Sequence, residues 1–285
     1  MALSVSNAFI TLFDSEVKQA YQAGRALAGL TREKNNVVGQ TVQFAKLGKG
    51  LATVRTPQSD VIPLSLDYST VTATMTDYIA AEYSDIFNQT KVNFNDRQEL
   101  VQAVGGAISR RMDQVTIDAL VAASGTGTVA NTIAESGAAG SASDLNTGKI
   151  RAAKKAMDAA NVPTADRTLL IHENNLSALL SQTSVTSSDF NSLKTLVDGD
   201  VNSWLGFNVV TIGDRDEGGL AIDGSSDRIC YAFHKSAVGV GMGMSQKTSV
   251  DYIPEKTSWL CASMFTGTGV AIDAPGIVKI TCREA

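Results

Sequence analysis

The sequence predicts an α+β protein, and three observations support that prediction. Residues 95–123 repeat apolar side chains with the period of a long helix, whereas residues 37–76 contain two runs with the period of a strand. Residues 145–240 alternate helical and strand patterns, and residues 241–285 are rich in strand patterns. With 285 residues the chain is long enough for one or two domains with a substantial core.

The N-terminal residues 14–30 carry a thin amphipathic helical pattern. Val17, Tyr21 and Leu27 form its apolar side, and Arg25 belongs to its polar side. A helix with so few apolar residues has little core of its own. We therefore expect a helix that packs on another element or on a neighbouring subunit.

Residues 37–76 predict a long two-stranded β-arm. The run "TVQFA" alternates, and "STVTATMT" alternates strictly, with Val71, Ala73 and Met75 on one face and threonines on the other. The intervening "KLGKG" and "RTPQSDVIP" have the composition of turns. Because an isolated two-stranded ribbon is marginally stable in water, we expect a partner to support the arm.

Residues 95–123 form the strongest helical pattern in the chain. Asn95 or Asp96 is placed to cap this helix, which at 1.5 Å per residue would be roughly 40 Å long. Its apolar stripe contains Leu100, Val101, Val104, Ile108, Met112, Val115 and Leu120. Gly105 and Gly106 should each weaken the helix by about 1 kcal/mol relative to alanine. They predict a bend or a close contact, or a point at which the helix flexes between two states of an assembly.

Residues 124–144, which are rich in Gly, Ser, Thr and Ala, predict a linker or flexible loop. The segments after it predict a mixed α/β domain with a small central sheet. They are a helix at 146–163, a strand at 167–172, a helix at 173–182, and strands at 205–214, 227–234 and 237–246.

The charge distribution argues against several classes of partner. The net charge is −5, and a protein that grips nucleic acid needs clustered Lys and Arg. No run of about 18 apolar residues is present to span a membrane. The N-terminus lacks the basic start of a secretory signal, so we expect synthesis and folding in the cytoplasm.

The histidines, cysteines and acidic clusters match structural roles better than catalytic or metal-binding ones. His172 and His234 have no accompanying nucleophile motif, and the three cysteines, at 230, 261 and 282, lack the paired short spacings of a zinc site. The acidic "DRDEGG" at 214–219 lacks the ligand spacing of a calcium loop and predicts a solvated loop. No P-loop motif occurs.

The stretch "AVGVGMGMSQ", residues 237–246, resembles a phosphate-binding loop only superficially. A dinucleotide motif needs G-x-G-x-x-G between a strand and a helix, but here the third glycine comes one residue early and no helical pattern follows. Gly239, Gly241 and Gly243 fall on one face of a strand, which predicts close approach by another element.

The order of the parts resembles the major capsid proteins of tailed double-stranded DNA bacteriophages, which have the Hong Kong 97-type fold. "DRQELVQAVGGAISRRMDQVTIDAL" is similar to the spine helix of that family, and "GKIRAAKKAMDAANVPTADRTLLIHENNLSALL" to the start of its apical domain. "LVDGDVNSWLGFNVVTI" is similar to the strand that follows, and "YAFHKSAVGVGM" and "VDYIPEKTSW" to the return into the peripheral domain. The resemblance covers nearly the whole chain.

The resemblance implies a division of the chain into four parts. These are an N-terminal arm at 1–36, an extended β-loop at 37–76, a peripheral domain at 77–144 and 241–285 with the spine helix at 95–123, and an apical domain at 145–240. The extended loop would reach over a neighbouring subunit. The candidate contacts between subunits are Tyr21, Arg25, Lys46, Lys49, Arg55 and Trp204.

The resemblance also implies partners and location. Copies of the chain would form the pentamers and hexamers of an icosahedral shell that encloses double-stranded DNA without sequence-specific binding. The scaffolding protein and portal would be separate chains, and the shell would assemble in the host cytoplasm and become the virion capsid. No catalytic residue, cofactor, metal or membrane contact is implied. Some members cross-link the extended loop through a lysine, but no acceptor asparagine or activating glutamate can be matched to Lys46 or Lys49.

Two other functions are compatible with parts of the pattern. One is an encapsulin-type shell protein, which encloses cargo proteins and shares the capsid fold. The other, from a different class, is a cytosolic α/β enzyme that binds a nucleotide, which would form a monomer or small oligomer with measurable cofactor affinity.

Overall fold

The computed structural model describes residues 24–58, 60–61, 63–90, 96–182, 203–215 and 217–284. The helices are α1 (Ile86–Gln89), α2 (Asp96–Ala122), α3 (Thr147–Ala159) and α4 (Glu173–Leu180). The strands are β1 (Arg32–Lys34), β2 (Thr41–Leu47), β3 (Tyr68–Thr74), β4 (Thr76–Asp85), β5 (Gly127–Val129), β6 (Arg167–His172), β7 (Ser203–Trp204), β8 (Phe207–Ile212), β9 (Asp227–His234), β10 (Val238–Ile253), β11 (Ser258–Ala271) and β12 (Ile277–Arg283).

A four-stranded sheet in the order β1-β10-β11-β4 supports the long helix α2. The strands β10, β11 and β4 are antiparallel neighbours, and β1 pairs in parallel with β10. Ile108, Met112 and Val115 of α2 are buried against Phe265 of β11, so the middle of the predicted apolar stripe faces this sheet. Leu120 of the same stripe is buried instead in the core cluster of the six-stranded sheet. The predicted long helix is confirmed, because α2 runs from residue 96 to residue 122.

A six-stranded sheet in the order β5-β12-β9-β6-β8-β7 forms the second body of the fold. Its central strand β6 is buried along its whole length. Helix α3 contributes Ile150, Ala153 and Met157, which recur at helical spacing and are fully buried. The predicted mixed α/β region with a central sheet is confirmed for β6, β8 and β9. The strand predicted at 237–246 is wrongly placed in that sheet, because it begins β10 and pairs with β1 and β11 in the four-stranded sheet.

Helix α3 begins where the sequence provides a capping side chain. The Asn146 carboxamide oxygen accepts a hydrogen bond from the Lys149 backbone N–H at 2.9 Å, which satisfies one of the free amides of the first turn. The Asn146 Nδ2 also donates to the Ile133 carbonyl at 2.8 Å. The cap therefore joins the helix to the loop that precedes it.

The segment 124–144 is not the linker that its composition predicts. Gly127–Val129 forms β5, which pairs in parallel with Val278–Ile280 of β12. Ile133 and Ala139 form a further antiparallel bridge within the segment. A β-carbon at Gly127 would lie 3.2 Å from Val278 Cγ2, so this glycine allows close strand pairing.

The predicted helix at 14–30 is wrong in its described part. Residues 24–30 adopt bends and turns, while residues 14–23 lie outside the described residues. The backbone amides of Ala26 and Leu27 donate to the Asp113 carboxylate of α2 instead of to carbonyls of a helical turn. This side-chain acceptor satisfies amides that a helix would otherwise use.

Sheet membership does not follow the chain divisions that the sequence suggests. The strands β5 and β12 lie outside residues 145–240, yet they belong to the same sheet as β6, β8 and β9. The C-terminal strand thus returns to the six-stranded sheet after the long hairpin of β10 and β11. Among the helices of the described residues, none is both long enough and apolar enough to cross a membrane.

Candidate assembly surfaces

The strands β2 and β3 form the two-stranded arm that the alternating pattern predicts. Their antiparallel register runs from Thr41 opposite Thr74 to Leu47 opposite Tyr68. Between Leu47 and Tyr68 the described residues form no helix or strand. This distal part exposes apolar side chains, with Leu51, Val54 and Val61 at 86%, 95% and 79% exposure. Such a surface is typical of a segment that is covered in an assembly.

The root of the arm lies on the glycine-bearing part of β10. Val42 and Phe44 of β2 are buried there with Ile272. A β-carbon at Gly241 would lie 2.8 Å from Val42 Cγ1, and one at Gly239 would lie 2.8 Å from Phe44 Cζ. The interpretation of "AVGVGMGM" as a strand approached closely by another element is confirmed, and the element is the arm of the same chain.

Lys46, Lys49 and Arg55 lie on the arm as the sequence indicates. Lys46 Nζ forms an ion pair with Asp273 Oδ1 at 2.7 Å within the same chain. Lys46, Lys49, His234 and Asp273 line a cavity of about 600 Å³ between the arm and the six-stranded sheet. Lys49 and Arg55 are exposed.

The other candidate contact residues lie in different places. Arg25 forms an ion pair with Glu33 at 3.1 Å between their side chains. Trp204 packs against the core of the six-stranded sheet, and its Nε1 is buried with no hydrogen-bond partner in the part of the chain that the structure describes. Tyr21 lies outside the described residues. The structure therefore does not bring the five described residues of this set into one site.

A second apolar surface lies on β4 and α1. Ile79 and Tyr83 of β4, and Phe87 of α1, are exposed. Tyr78 stacks on Phe265 on the side of α2, with ring centroids 5.0 Å apart. Because side chains alternate along a strand, Ile79 lies on the opposite face of the sheet.

The turn of α2 around Asp113 joins three segments of the chain. Asp113 is fully buried. Its Oδ2 accepts hydrogen bonds from Ala26 N at 2.8 Å and Arg215 Nη1 at 3.1 Å, and its Oδ1 accepts one from Leu27 N at 3.1 Å. No sequence motif predicted this role of Asp113. The available clue was an acidic residue in line with Ile117 and Leu120, which are buried one and two turns later.

The loop at 214–219 is not simply solvated, as its acidic composition predicts. Gly218 N donates to Gln114 Oε1 at 2.8 Å, and Glu217 pairs with Arg111 at 3.4 Å. A β-carbon at Gly218, which has φ +78°, would lie 3.0 Å from the Arg110 carbonyl oxygen. The loop therefore docks on the same turn of α2, although the Asp214 side chain stays exposed.

His172, Glu173 and Asp214 bring potential metal-ligand atoms within 4.8 Å of one another. The His172 Nδ1 accepts a hydrogen bond from Asn174 N at 3.2 Å, so in the neutral ring Nε2 carries the proton and donates to Asp214 Oδ1 at 3.0 Å. A metal at Nε2 would need the opposite tautomer. The residues thus fit a structural hydrogen-bond network better than a metal site.

Polar groups inside the six-stranded region also satisfy one another. The buried Lys149 Nζ donates to the Ser143 and Thr281 carbonyls, and burial lowers the pKa of Lys149. A hydrogen bond with Cys230 and burial raise the pKa of the Cys282 thiol well above its usual value. All three cysteines are free and buried, as expected for core residues. The raised pKa makes the Cys282 thiol a poor nucleophile.

Asp227 joins the C-terminal strand to the segment before α3. It accepts hydrogen bonds from Arg283 and, at 2.7 Å, from Asn131 Nδ2. The Arg283 guanidinium holds the pKa of Asp227 below its usual value, against the opposing effect of burial. The Arg228 guanidinium similarly binds Glu284.

The sequence matches one known protein family. A family model described as "Phage capsid protein" matches residues 5–284. No curated protein matches the chain.

Solved structures of phage capsids share the fold at low sequence identity. The capsid of cyanophage P-SCSP1u superposes with a TM-score of 0.78 at 16% identity, covering 100% of this chain and 96% of that chain. The head structure of Helicobacter pylori bacteriophage KHP40 gives 0.77 at 10% identity, covering 98% of both chains. A structure from Mycobacterium phage Che8 gives 0.72 at 16% identity, covering 97% of this chain and 98% of that one.

Proposed function

The chain belongs to the phage capsid protein family, and from that premise we propose how its parts are used. It is a major capsid protein of the Hong Kong 97-type fold, a structural component of the virion that self-assembles into an icosahedral shell. The matched family describes phage capsids, so an encapsulin-type shell protein and a nucleotide-binding enzyme have less support. The proposed role is structural, without catalysis.

The arm of residues 37–76 is the main structural support for assembly into a shell. Its root is fixed by Val42 and Phe44 against the glycines of β10, whereas its distal residues expose apolar side chains to solvent. We infer that residues 37–76 reach over a neighbouring subunit, where burial of those side chains contributes favourable free energy. Lys46, Lys49 and Arg55 would contact that subunit. The cavity beside Lys46 and Lys49 would lie at the base of this contact.

We propose that the two sheets correspond to the two domains of a capsid subunit. The four-stranded sheet with α2 would be the peripheral domain, comprising residues 77–144 and 241–285, and residues 145–240 would be the apical domain. The strands β5 and β12 would complete the apical sheet from outside that range. Residues 1–36 would form an N-terminal arm, through which Tyr21 and Arg25 meet a neighbour, and Trp204 would do so at the edge of the apical sheet.

The shell would consist of pentamers and hexamers of this chain, because repeated heterologous contacts that close a ring can build a closed shell. A separate scaffolding protein and portal, assembly in the host cytoplasm and enclosure of double-stranded DNA complete the proposal. The net charge of −5 supports a wall that does not bind DNA tightly or sequence-specifically.

We propose that Gly105 and Gly106 mark a bend of α2 that differs among subunits. The Gly105 carbonyl accepts hydrogen bonds from the Ser109 hydroxyl at 3.0 Å and from Gln246 Nε2 at 3.3 Å. A serine bond to the preceding turn often bends a helix. Superposing the subunits of one shell tests this, since straight, identical helices would contradict it.

Sedimentation of the purified protein tests the assembly function. We expect a fast-sedimenting species of shell size that negative-stain microscopy resolves as closed particles. A sample containing only small oligomers, under conditions that include a co-expressed scaffolding protein, would count against the proposal.

A further inference from the structure

The Asp113 carboxylate of α2 lies where residues 24–27 and the loop after β8 meet this helix. It is fully buried, so removing its charge from water has to be offset by hydrogen bonds and a counter-charge. The offset comes from two backbone amides, those of Ala26 and Leu27, and from the Arg215 guanidinium. These partners come from two segments that are distant from α2 in sequence.

The amides that Asp113 holds are only a few residues before the arm. Leu27 is buried in the core with Ile117 and Leu120 of α2. The chain then turns, and Glu33 accepts from Gly29 N at 3.2 Å while pairing with Arg25. Glu33 lies in β1, which pairs with the glycines of β10 that also receive the arm root. The position of Ala26 and Leu27 thus constrains the path into the arm.

The loop after β8 reaches the same carboxylate through Arg215. Arg215 Nη1 contacts both Asp113 Oδ2 and, at 3.4 Å, the Gly24 carbonyl. Its side chain is largely buried, and the neighbouring Gly218 is bonded to Gln114 of α2. A single carboxylate therefore connects the loop that follows β8 to the segment that leads into β1.

We infer that Asp113 is a positioning residue for shell assembly. It couples the apical loop 213–219 to the N-terminal entry of the arm and so sets the orientation from which the arm leaves the subunit. This inference rests on the proposed assembly function for its consequence in the shell. The coupling itself is a property of the folded subunit.

The first measurement is amide hydrogen exchange in Asp113→Asn, which keeps the side-chain shape and removes the charge. We expect exchange at Ala26 and Leu27 to accelerate about tenfold or more, because charge-assisted hydrogen bonds are lost. Exchange should also accelerate in β1, which a purely local role of Asp113 would not affect. Trypsin should cleave the Arg25–Ala26 bond faster in this variant.

Gln114→Met is the matched control. It removes the bond from Gly218 to the same turn of α2 but leaves the bonds of Ala26 and Leu27 intact, so exchange in 24–34 should match the wild type. If Asp113→Asn fails to fold, Arg215→Met serves in its place and should change exchange in the same direction. Unchanged exchange in 24–34 in the folded variant would overturn the inference.

Particle formation is the second measurement. We expect Asp113→Asn subunits with a retained six-stranded core to give aberrant particles or few closed shells, while Gln114→Met gives normal ones. Closed shells of wild-type size and yield from Asp113→Asn would overturn the positioning role. Failure of the wild type itself to form shells would instead count against the proposed function.

Discussion

At the scale of single residues, the arm strand β2 can pack closely on β10 because Gly239 and Gly241 have no side chains. Gly239 and Gly241 leave space that Phe44 and Val42 fill, with separations from a hypothetical β-carbon below 3 Å. Both neighbours are buried. Because protein interiors are close-packed, a methyl group added at either glycine would have to displace them.

Gly241→Ala should therefore destabilise the protein by about 1–3 kcal/mol through overpacking at the arm root. Gly224→Ala is the matched control, since a β-carbon at Gly224 meets no atom within 4 Å. Denaturant unfolding of both variants measures the difference. Equal free energies of unfolding for the two variants would argue against the close contact between the arm and β10.

Asp227 illustrates a pH-dependent contribution. In the folded state the pKa of Asp227 lies below its ordinary value of 3.8, chiefly because Arg283 donates a hydrogen bond to the carboxylate. Folding therefore favours the charged form of Asp227. The resulting stabilisation is present above the unfolded-state pKa and is lost as the pH falls through the folded-state pKa.

Asp227→Asn should accordingly lower the free energy of unfolding at neutral pH, and its difference from the wild type should shrink as the pH falls below 3.8. Asp60→Asn makes the same charge change at an exposed position of the arm. Unfolding curves over this pH range provide the measurement. A difference between wild type and Asp227→Asn that stays constant at every pH would contradict the role of the Arg283 contact.

At the scale of elements, long periodic segments could be predicted from the sequence. Helix α2, the arm strands and β6 have uninterrupted patterns, and the structure places each within a residue or two of its predicted position, with the arm strands paired as expected. The three-residue strand β5 has no usable period. It depends on pairing with β12, which lies about 150 residues later in the chain.

The helix predicted at 14–30 is absent from residues 24–30 because distant contacts determine their structure. The stripe of Leu27 and its neighbours is compatible with a helix, but tertiary contacts decide the local structure. Asp113 takes the amides of residues 26 and 27, and Leu27 enters the core. Arg215 likewise contacts Asp113 across 102 positions of sequence, a pairing that no local pattern in the acidic loop could indicate.

We expect the distal arm to be needed for shell formation but not for folding of the subunit. Replacing residues 49–66 by a short Asn-Gly turn should leave the subunit folded, because the buried Val42 and Phe44 of the root are retained. The same change should abolish closed shells, because it removes the exposed apolar residues that would bind a neighbour. Thermal unfolding and electron microscopy of the variant test both expectations. Normal shells from the shortened variant would show that the distal arm is dispensable.

At the scale of the whole molecule, the two sheets and the arm are explained best by an assembly. The apolar residues of the distal arm and of β4 remain exposed in the single chain, and burying them in contacts between copies would stabilise a shell. Asp113 bonds both the segment that leads into β1 and the Arg215 side chain of the loop after β8. Under the proposed positioning role, this junction would set the direction in which the arm leaves the subunit.

Cryo-electron microscopy of particles formed by the wild-type protein tests the central claim most directly. The account predicts closed icosahedral shells in which residues 48–67 of each arm cover a neighbouring subunit and the six-stranded sheet lies towards the centre of each capsomer. Only small soluble oligomers, or shells in which residues 48–67 of every arm contact their own subunit alone, would contradict it.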